Sequence, residues 1–551
     1  MTARPRSSMV WPLPVAILVC CLLFPGLPAA ARADDLDDSA LVALGQRIYA
    51  RGILPSGQAL RGEGRPGVVR SGADAACTAC HRRSGYGMTE GPLAIRPITR
   101  DALFQTQTTI AATPRIEHQL GQTMRSPYDD QSLMRAIREG INVDGHLLNE
   151  GMPRYALRDE EIKSLLAYLK TLSSRPDPAV SETEIHLATV IQPDMPPAQR
   201  QAMLDVLSAF VQDKNAGTRS DEKRRQVGTM RMQRAYRQWR LHIWELSGPP
   251  GTWESQLEGH YRQQPVFAIV GGLGTRDWEP VQAFSERFSV PCIFPQVDLP
   301  GQGGENFYTL YLSRGVLLEA DVLARYLADH PESGKLIQVY RRNSSGEEAA
   351  REFRARLPDA GSRLDDLIVD GAPGKLWADP LLARERSNLI LWLDAADLEE
   401  SDASLSRGDK YTTVYLSSTL LGDRIGAVQR MGIATSTLLV SPWDDPEARK
   451  AAQTRTRLWL QRKGLAELED PIQFNTFFAL NIAGDVLSHI LDNFSREYFI
   501  ERVEHAVQQS LVPSSFPHVS LGPNQRFAAK GSYIVQLDPD GFTAVSGWIV
   551  P

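Results

Sequence analysis

Five consecutive residues limit this chain more than any other feature: Cys77-Thr78-Ala79-Cys80-His81, a C-x-x-C-H run. Two thiols one helical turn apart can add to the two vinyl groups of one porphyrin, and the histidine that follows is then placed under the iron. This is the attachment pattern of c-type haem. A zinc half-site would need a second ligand pair, and the one other cysteine beyond residue 33 is Cys292. A redox dithiol is expected beside a βαβ pattern, whereas the flanks here read as helix and loop. The run therefore implies one covalent haem c, attached at Cys77 and Cys80, with His81 as an axial ligand of the iron.

The amino terminus fits an oxidising compartment. Arg4 and Arg6 precede an apolar stretch from Met9 to about Leu27, and Ala31-Arg32-Ala33 forms an A-x-A site before Asp34, Asp35, Asp37 and Asp38. Residues 1–33 read as a cleavable secretory signal. An uncleaved anchor is opposed by Pro12, Pro14 and Pro25, and lipid attachment at Cys20 by the bulky Val19 before it. Cleavage removes three arginines and no acid, taking the formal charge from −6 to −9. It also removes Cys20 and Cys21, and three remaining cysteines make no disulfide framework. No later stretch reaches ~18 apolar residues, so the mature chain is expected to be soluble, with no integral membrane segment, in the periplasm of a Gram-negative cell. The acidic balance, 60 Lys+Arg against 66 Asp+Glu, opposes a nucleic-acid partner, because phosphate neutralisation needs a basic surface. A length of 551 residues at 42% hydrophobic content fits a folded chain of several domains.

Around the C-x-x-C-H run, residues 36–173 resemble a class I cytochrome c. Ser39–Arg51 and Asp159–Leu172 carry apolar residues at helical spacing, and Gly45, Tyr49 and Tyr168 fall where that family crosses its terminal helices. Candidates for the sixth iron ligand are Met88, Met124, Met134, Met152, His118 and His146. Gly151-Met-Pro-Arg-Tyr resembles the family's distal-ligand motif, which implies Met152, with His118 and His146 as the alternatives. His/Met ligation fills both axial positions and suits electron transfer.

Ser173–Ser181 holds two prolines and no apolar period, and reads as a linker. Beyond it, continuous apolar strands alternate with amphipathic helices, the pattern of parallel sheets covered by helices. Strands are expected near 185–191, 240–246, 266–270, 291–294, 335–340, 388–393, 412–416 and 436–440. Helices are expected near 197–213, 276–288, 317–329, 345–356, 447–462 and 474–493. Five segments resemble a type 1 periplasmic binding protein of the branched-chain amino-acid ABC-transporter kind. They are Val266-Phe-Ala-Ile-Val-Gly-Gly-Leu-Gly-Thr275, Val290-Pro-Cys-Ile-Phe-Pro295, Phe307–Arg314, Tyr415–Gly422 and Gly522–Gly531. The whole is expected to be multidomain. A signal occupies 1–33, an all-α cytochrome c domain 34–173 and a linker 174–183. A two-lobed α/β periplasmic-binding-protein fold follows over 184–551. Its first lobe covers about 184–312 and 441–510, and its second about 313–440 and 511–551.

That resemblance implies a small molecule bound between the lobes at the carboxyl ends of the strands. Gly271, Gly272, Gly274 and Thr275 follow a strand and are expected to open a helix whose free N–H groups favour an anion. The alternative is a plain tight turn. Gln296 and Asp298 follow the next strand, and Asn343, Ser344 and Asp394 lie at strand ends of the second lobe, with Ser417 and Ser418 behind them. Gln296-Val297-Asp298 replaces the small hydroxyl residues usual in that family, and a carboxylate there repels an anionic ligand. A basic run, Arg219 to Arg240, reads as a solvated face, or as a dock for the haem edge with its acidic propionates or for an acidic partner.

The expected function is a periplasmic cytochrome that couples electron transfer to solute binding. It would serve a redox partner such as a dehydrogenase, or an uptake system with an ABC permease. The alternatives are a solute receptor with a structural haem, and a monohaem enzyme with an open iron position. No catalytic residues are assigned.

Overall fold

The computed structural model describes residues 33–551 apart from 106–125, 226–236, 371–386, 401–410 and shorter stretches of one to four residues. The segment 1–32, His118, Met124, Arg231 and Arg234 lie outside the described residues.

The cytochrome-like part is built on two crossing helices, α1 (Ala33–Arg51) and α3 (Asp159–Leu169), with α2 (Asp130–Glu139) between them in sequence. The crossing needs Gly45. A Cβ there would sit 1.9 Å from the Ser164 carbonyl oxygen and 2.8 Å from the Tyr168 Cβ, so only glycine lets the backbones meet. Tyr49 and Tyr168 then face each other with ring centroids 5.1 Å apart. Leu165, Leu166 and Leu169 of α3 join Ile48 and Tyr49 in one buried cluster. The expectation of an all-α domain is corrected by a small antiparallel sheet of Arg61–Glu63, Val69–Ser71 and Arg154–Tyr155. Gly62 lies opposite Tyr155, and a Cβ on it would come within 2.6 Å of that ring, so the segment after Met152 folds back where no side chain blocks it.

The remainder holds two sheets. The first contains β1 (Glu184–Ile191), β2 (Gln238–Glu245), β3 (Ala268–Val270), β4 (Leu273–Asp277), β5 (Cys292–Ile293), β6 (Gln296–Leu299) and β7 (Thr309–Leu310). Its order is β6-β4-β1-β3-β5-β7, with β2 also paired to β1, and every pairing is parallel. Helices α4 (Pro197–Arg225) and α5 (Glu279–Phe288) lie between its strands in sequence. The chain then crosses to α6 (Val316–Asp329), β8 (Leu336–Arg341), α7 (Ser345–Arg356), β9 (Leu364–Val369), β10 (Ser387–Trp392), β11 (Tyr411–Ser417) and β12 (Thr437–Ser441). It returns to the first core for α8 (Asp470–His489) and α9 (Arg496–Val507), then closes the second sheet with β13 (Tyr533–Asp538) and β14 (Gly541–Ala544). The second sheet runs β9-β8-β10-β11-β12-β13-β14, antiparallel only in its last two pairings.

Each sheet has its own apolar core. Phe474, Phe478 and Phe499 pack with β1 and β3 residues, while Leu323, Phe353 and Trp392 pack in the second lobe. Burial of this aliphatic and aromatic surface is the main force holding each lobe. The return to the second lobe comes later than the sequence implies. Val512, Leu521 and Ala528 belong to the first core, so 511–528 stays with the first lobe. The crossing strands are paired, with the Ala528 N–H donating to the Tyr311 carbonyl at 3.0 Å and the Ala529 N–H to Leu312 at 2.7 Å.

Candidate functional site

Cys77 and Cys80 are free, half-buried thiols, Cys77 at the start of a short helical turn, Thr78–His81, and Cys80 within it. The Thr78 hydroxyl donates to the Ala50 carbonyl at 3.1 Å, which fixes this turn on the end of α1. The Tyr49 hydroxyl does the same from the other side, donating to the Arg82 carbonyl at 2.7 Å. Burial pushes the Cys77 thiol up to about 12 and the His81 imidazole down to about 4. His81 is therefore neutral at pH 7. Its Nδ1 lies 3.0 Å from the Arg96 carbonyl, which can only accept, so Nδ1 carries the proton and Nε2 the lone pair. A backbone carbonyl accepting from Nδ1 is what orients a histidine that binds metal through Nε2.

Met152 stands on a loop held by local bonds. The Asn149 carbonyl accepts its N–H at 3.0 Å, and Arg154 donates to the carbonyls of Met152 and Leu148. The Tyr155 hydroxyl then donates to the Ala75 carbonyl at 2.9 Å, tying this loop to the segment before Cys77. Cys77, Met134 and Met152 all pack against one hydrophobic cluster. His146 is exposed in a turn and stands apart from it. Two free thiols, one imidazole of fixed tautomer and a thioether are a donor set that fits covalent haem.

The residues expected in the interlobe cleft fare unevenly. Gly272 adopts φ +135, but the turn does not open a helix. Strand β4 follows at once, Leu273 and Gly274 pair with Gln296 and Val297 of β6, and α5 begins only at Glu279. The expected free N–H groups are thus spent on the sheet, which corrects the anion-site reading. Gly274 is needed for packing, since a Cβ would lie 2.6 Å from the Gln192 amide. Gln296 is also occupied: its side chain donates to the Ile472 carbonyl and the Thr476 hydroxyl, each at 3.1 Å, on or beside α8. Ser344 caps α7 and donates to the Arg341 carbonyl at 2.7 Å, and Asn343 is exposed at φ +57. Thr275 meets the second lobe, because the Ser345 hydroxyl donates to its carbonyl at 2.8 Å.

Asp298 feels the charge of Asp394. Burial first, then the carboxylates of Glu319 and Asp394, push half-buried Asp298 up to about 7. Glu319 of α6 was missed by the sequence reading. It is fully buried, and it takes the hydroxyls of Ser417, Ser418 and Thr419 together with the Thr419 N–H. Burial nevertheless pushes Glu319 up to about 7. The second lobe thus satisfies its hydroxyl cluster with its own carboxylate. Two described cavities lie elsewhere. One of about 390 Å³ on the first lobe is walled by Phe210, Lys214, Trp239, Trp459 and Phe477. The other, of about 750 Å³, sits by the interlobe crossing between Arg314, Arg356, Arg526 and Lys530.

Residues 71–173 match the family model described as cytochrome c. Among curated proteins none matches the chain. Similar solved structures include a branched-chain amino-acid ABC transporter protein from Thermus thermophilus with bound valine, at 13% identity and TM-score 0.47, covering 68% of this chain and 98% of that one. A leucine-binding protein from Thermotoga maritima shares 10% identity at TM-score 0.47, over 67% of this chain and 99% of its own. An extracellular ligand-binding receptor from Verminephrobacter eiseniae shares 14% at TM-score 0.48, over 66% and 100%.

Sequence reasoning also missed the contact between the cytochrome c region and the first lobe. The Ser84 N–H and hydroxyl donate to Glu501 of α9 at 2.9 and 2.5 Å, and Arg82 pairs with Glu504. Tyr86 stacks on Tyr498 at 4.3 Å, and the Arg83 guanidinium lies 4.3 Å from the centre of the Phe307 ring. The linker is pinned as well, by an ion pair between Asp177 and Arg496 at 2.6 Å. These partners are more than 200 residues apart, so no local pattern could have revealed them. Of the basic run, Arg240 pairs with Glu184 at 2.5 Å, and Arg237 donates to the Ser181 carbonyl at 2.6 Å. No helix among the described residues is long and apolar enough to cross a membrane.

Proposed function

We propose that this chain is a periplasmic c-type cytochrome joined to a solute-binding domain, and that it passes single electrons to or from a redox partner such as a dehydrogenase. The domains are taken as 34–173, a linker at 174–183, and a two-lobed receptor over 184–551. The reading rests on one observation: a C-x-x-C-H turn whose histidine is neutral and held by a backbone carbonyl, with Met152 on the cluster that packs Cys77. Cys77 and Cys80 would hold one haem by thioethers, and His81 and Met152 would ligate its iron. Such a haem, when bound, supplies a one-electron couple whose potential Met/His ligation raises. The chain's own residues orient the imidazole and pack Cys77 against the cluster that also holds Met152.

The solute sits between the lobes, near Thr275, Asp298 and Asp394. The neighbouring acidic side chains of Asp298 and Asp394 disfavour an anionic solute there and favour one with a positive or donor group. An ABC permease is a partner only if the solute is transported.

The decisive variant is Met152→Ala. It should leave haem attached to the chain after acid-acetone extraction, abolish the weak Met-to-ferric charge-transfer band, lower the potential and open the iron to carbon monoxide. Wild-type protein that binds carbon monoxide rapidly would instead have an open iron, and the electron-carrier reading would fail.

A further inference from the structure

Neither the haem turn nor the interlobe cleft accounts for the cavity of about 390 Å³ on the first lobe. It lies at the amino ends of β1 and β2, where Ile185 and Trp239 are the second residues of their strands. The cleft belongs to the carboxyl ends, so the two places are at opposite edges of one sheet. The second halves of α4 and α8 and the helix Thr454–Arg462 supply the other walls. Those walls are aromatic. The rings of Trp459 and Phe477 have centroids 4.5 Å apart, and Phe210 stands edge-on to Phe477 at 5.9 Å. Two of the rings are tied in place. The Asn215 side chain bonds the N–H and the carbonyl of Trp239 at 2.8 and 3.0 Å, and the Trp459 indole N–H donates to Asp213 at 3.2 Å. Asp213 also pairs with Lys463, so its charge is matched. A box of rings held in advance suits a flat apolar guest.

Two glycines inside helices line the same space, and glycine is a poor helix former, so each needs a reason. At Gly484 of α8 a Cβ would lie 2.9 Å from both Cε and Nζ of Lys214, so the bare backbone is the seat on which the lysine rests. At Gly217 of α4 a Cβ would meet nothing within 4 Å, so packing does not call for this glycine. Lys214 is half-buried, with its ammonium 5.8 Å from the Trp239 ring centre and 6.0 Å from that of Phe210. Among the described residues it forms no ion pair. Burial pulls its pKa below the ordinary value, with the charge of Asp485 opposing. An ammonium that has lost part of its water is held strongly by a carboxylate that reaches it, because such a contact is charge-assisted and poorly screened. Arg237 and the exposed Arg455 and Arg462 also line the cavity, so four cations stand against Asp213 and Asp485. Flat apolar walls with a cationic floor and mouth match an aromatic acid.

We propose that this cavity is a second small-molecule site, separate from the interlobe cleft, and that it takes an aromatic carboxylate. Lys214 holds the carboxylate, and Trp239, Trp459 and Phe477 hold the ring. A cavity of about 150 Å³ accepts one benzene ring. At about 390 Å³ this one has room for two fused rings and a short acidic arm.

The test uses the haem-bearing full chain and 2-naphthoate, followed by isothermal titration calorimetry. Binding should be one to one and tighter than ~1 mM. 2-Naphthalenemethanol has the same rings and a neutral arm, and it should bind at least ~10-fold more weakly, since hydrogen bonds between charged groups are the strong ones. Lys214→Met keeps an apolar stem and removes the charge. It should weaken 2-naphthoate at least ~10-fold and leave the alcohol within ~3-fold. Gly484→Leu fills the lysine's seat and should weaken both probes, with melts followed by far-UV circular dichroism showing that the variant is folded. Should it not fold, the Lys214 variant and the pair of probes decide. Asp394→Asn, in the cleft, should leave the affinity for 2-naphthoate unchanged. Binding weaker than ~1 mM would overturn the proposal, as would equal affinity for acid and alcohol, or undiminished binding in Lys214→Met. Loss of binding in Asp394→Asn would put the acid in the cleft instead and overturn it too. The haem reading does not depend on any of these results, and acid-acetone extraction of the same samples reports on it separately.

Discussion

Gly45→Ala is the sharpest test of how the cytochrome c region holds its haem-attachment turn. The new methyl group would lie 1.9 Å from the Ser164 carbonyl oxygen, where ordinary contact begins near 3.4 Å. The two terminal helices must therefore part by about 1.5 Å at their crossing. Overpacking of this kind costs ~1–3 kcal/mol. The same displacement moves Tyr49, whose hydroxyl bonds the Arg82 carbonyl at 2.7 Å, and losing that bond adds ~1 kcal/mol. Alanine's better helix propensity returns about 1 kcal/mol. The net loss is ~1–3 kcal/mol. Urea unfolding followed at the haem absorption band measures it, with far-UV circular dichroism as a second probe. Gly259→Ala is the matched control. It lies in the helix Trp253–Gln263 with nothing within 4 Å of the new Cβ, so it should gain ~0.5–1 kcal/mol. A Gly45→Ala protein as stable as its parent would refute the crossing.

Arg496→Ala removes the buried partner of Asp177 and the donor to the Val266 and Phe288 carbonyls, and should cost ~3–5 kcal/mol. Limited proteolysis should then cut within 174–183, and an unchanged digestion pattern would mean that the linker is held by something else. Glu319 predicts the pH dependence. Its carboxyl stays protonated to about 7 in the fold against an ordinary 4.5. The folded state therefore keeps a proton that the unfolded chain has lost, and stability falls as pH rises across that interval. Relative to Glu319→Gln, the parent should lose of order 3 kcal/mol between about pH 4.5 and 7, read by thermal melts. A relative gain over that range reverses the sign and sinks the argument.

The elements that the sequence specified best are those with complete local signals. Ser345–Arg356 matches at both ends, because Ser344 caps its first turn and Arg354 and Arg356 close its last. The C-x-x-C-H turn and the glycine at the helix crossing were equally legible, since each is a short pattern with one geometric use. Strands β4 and β6 were not foreseen. Leu273–Asp277 holds a glycine and ends in exposed charges, and it becomes a strand only because β6 lies beside it. Helix α9 was missed for a related reason. Arg496, Glu501 and Glu504 are charged yet buried, and only partners far away in sequence satisfy them. The cleft residues were misjudged where local geometry offered no warning: Gln296 looked free, but α8 takes its side chain.

The cover that α9 lays over Arg82–Tyr86 sets an order of assembly. Glu501 and Glu504 lie 417 and 422 residues beyond their partners in the chain. If the chain is exported as proposed, amino terminus first, the C-x-x-C-H segment emerges long before α9 is there to pack against the residues that follow it. Any enzyme that joins porphyrin to Cys77 and Cys80 needs those thiols within reach, and has that whole interval to work. Once the first lobe has folded, Ser84 and Tyr86 are buried. The long separation between the two halves of this contact thus makes the docking of α9 on Arg82–Tyr86 a late step of folding.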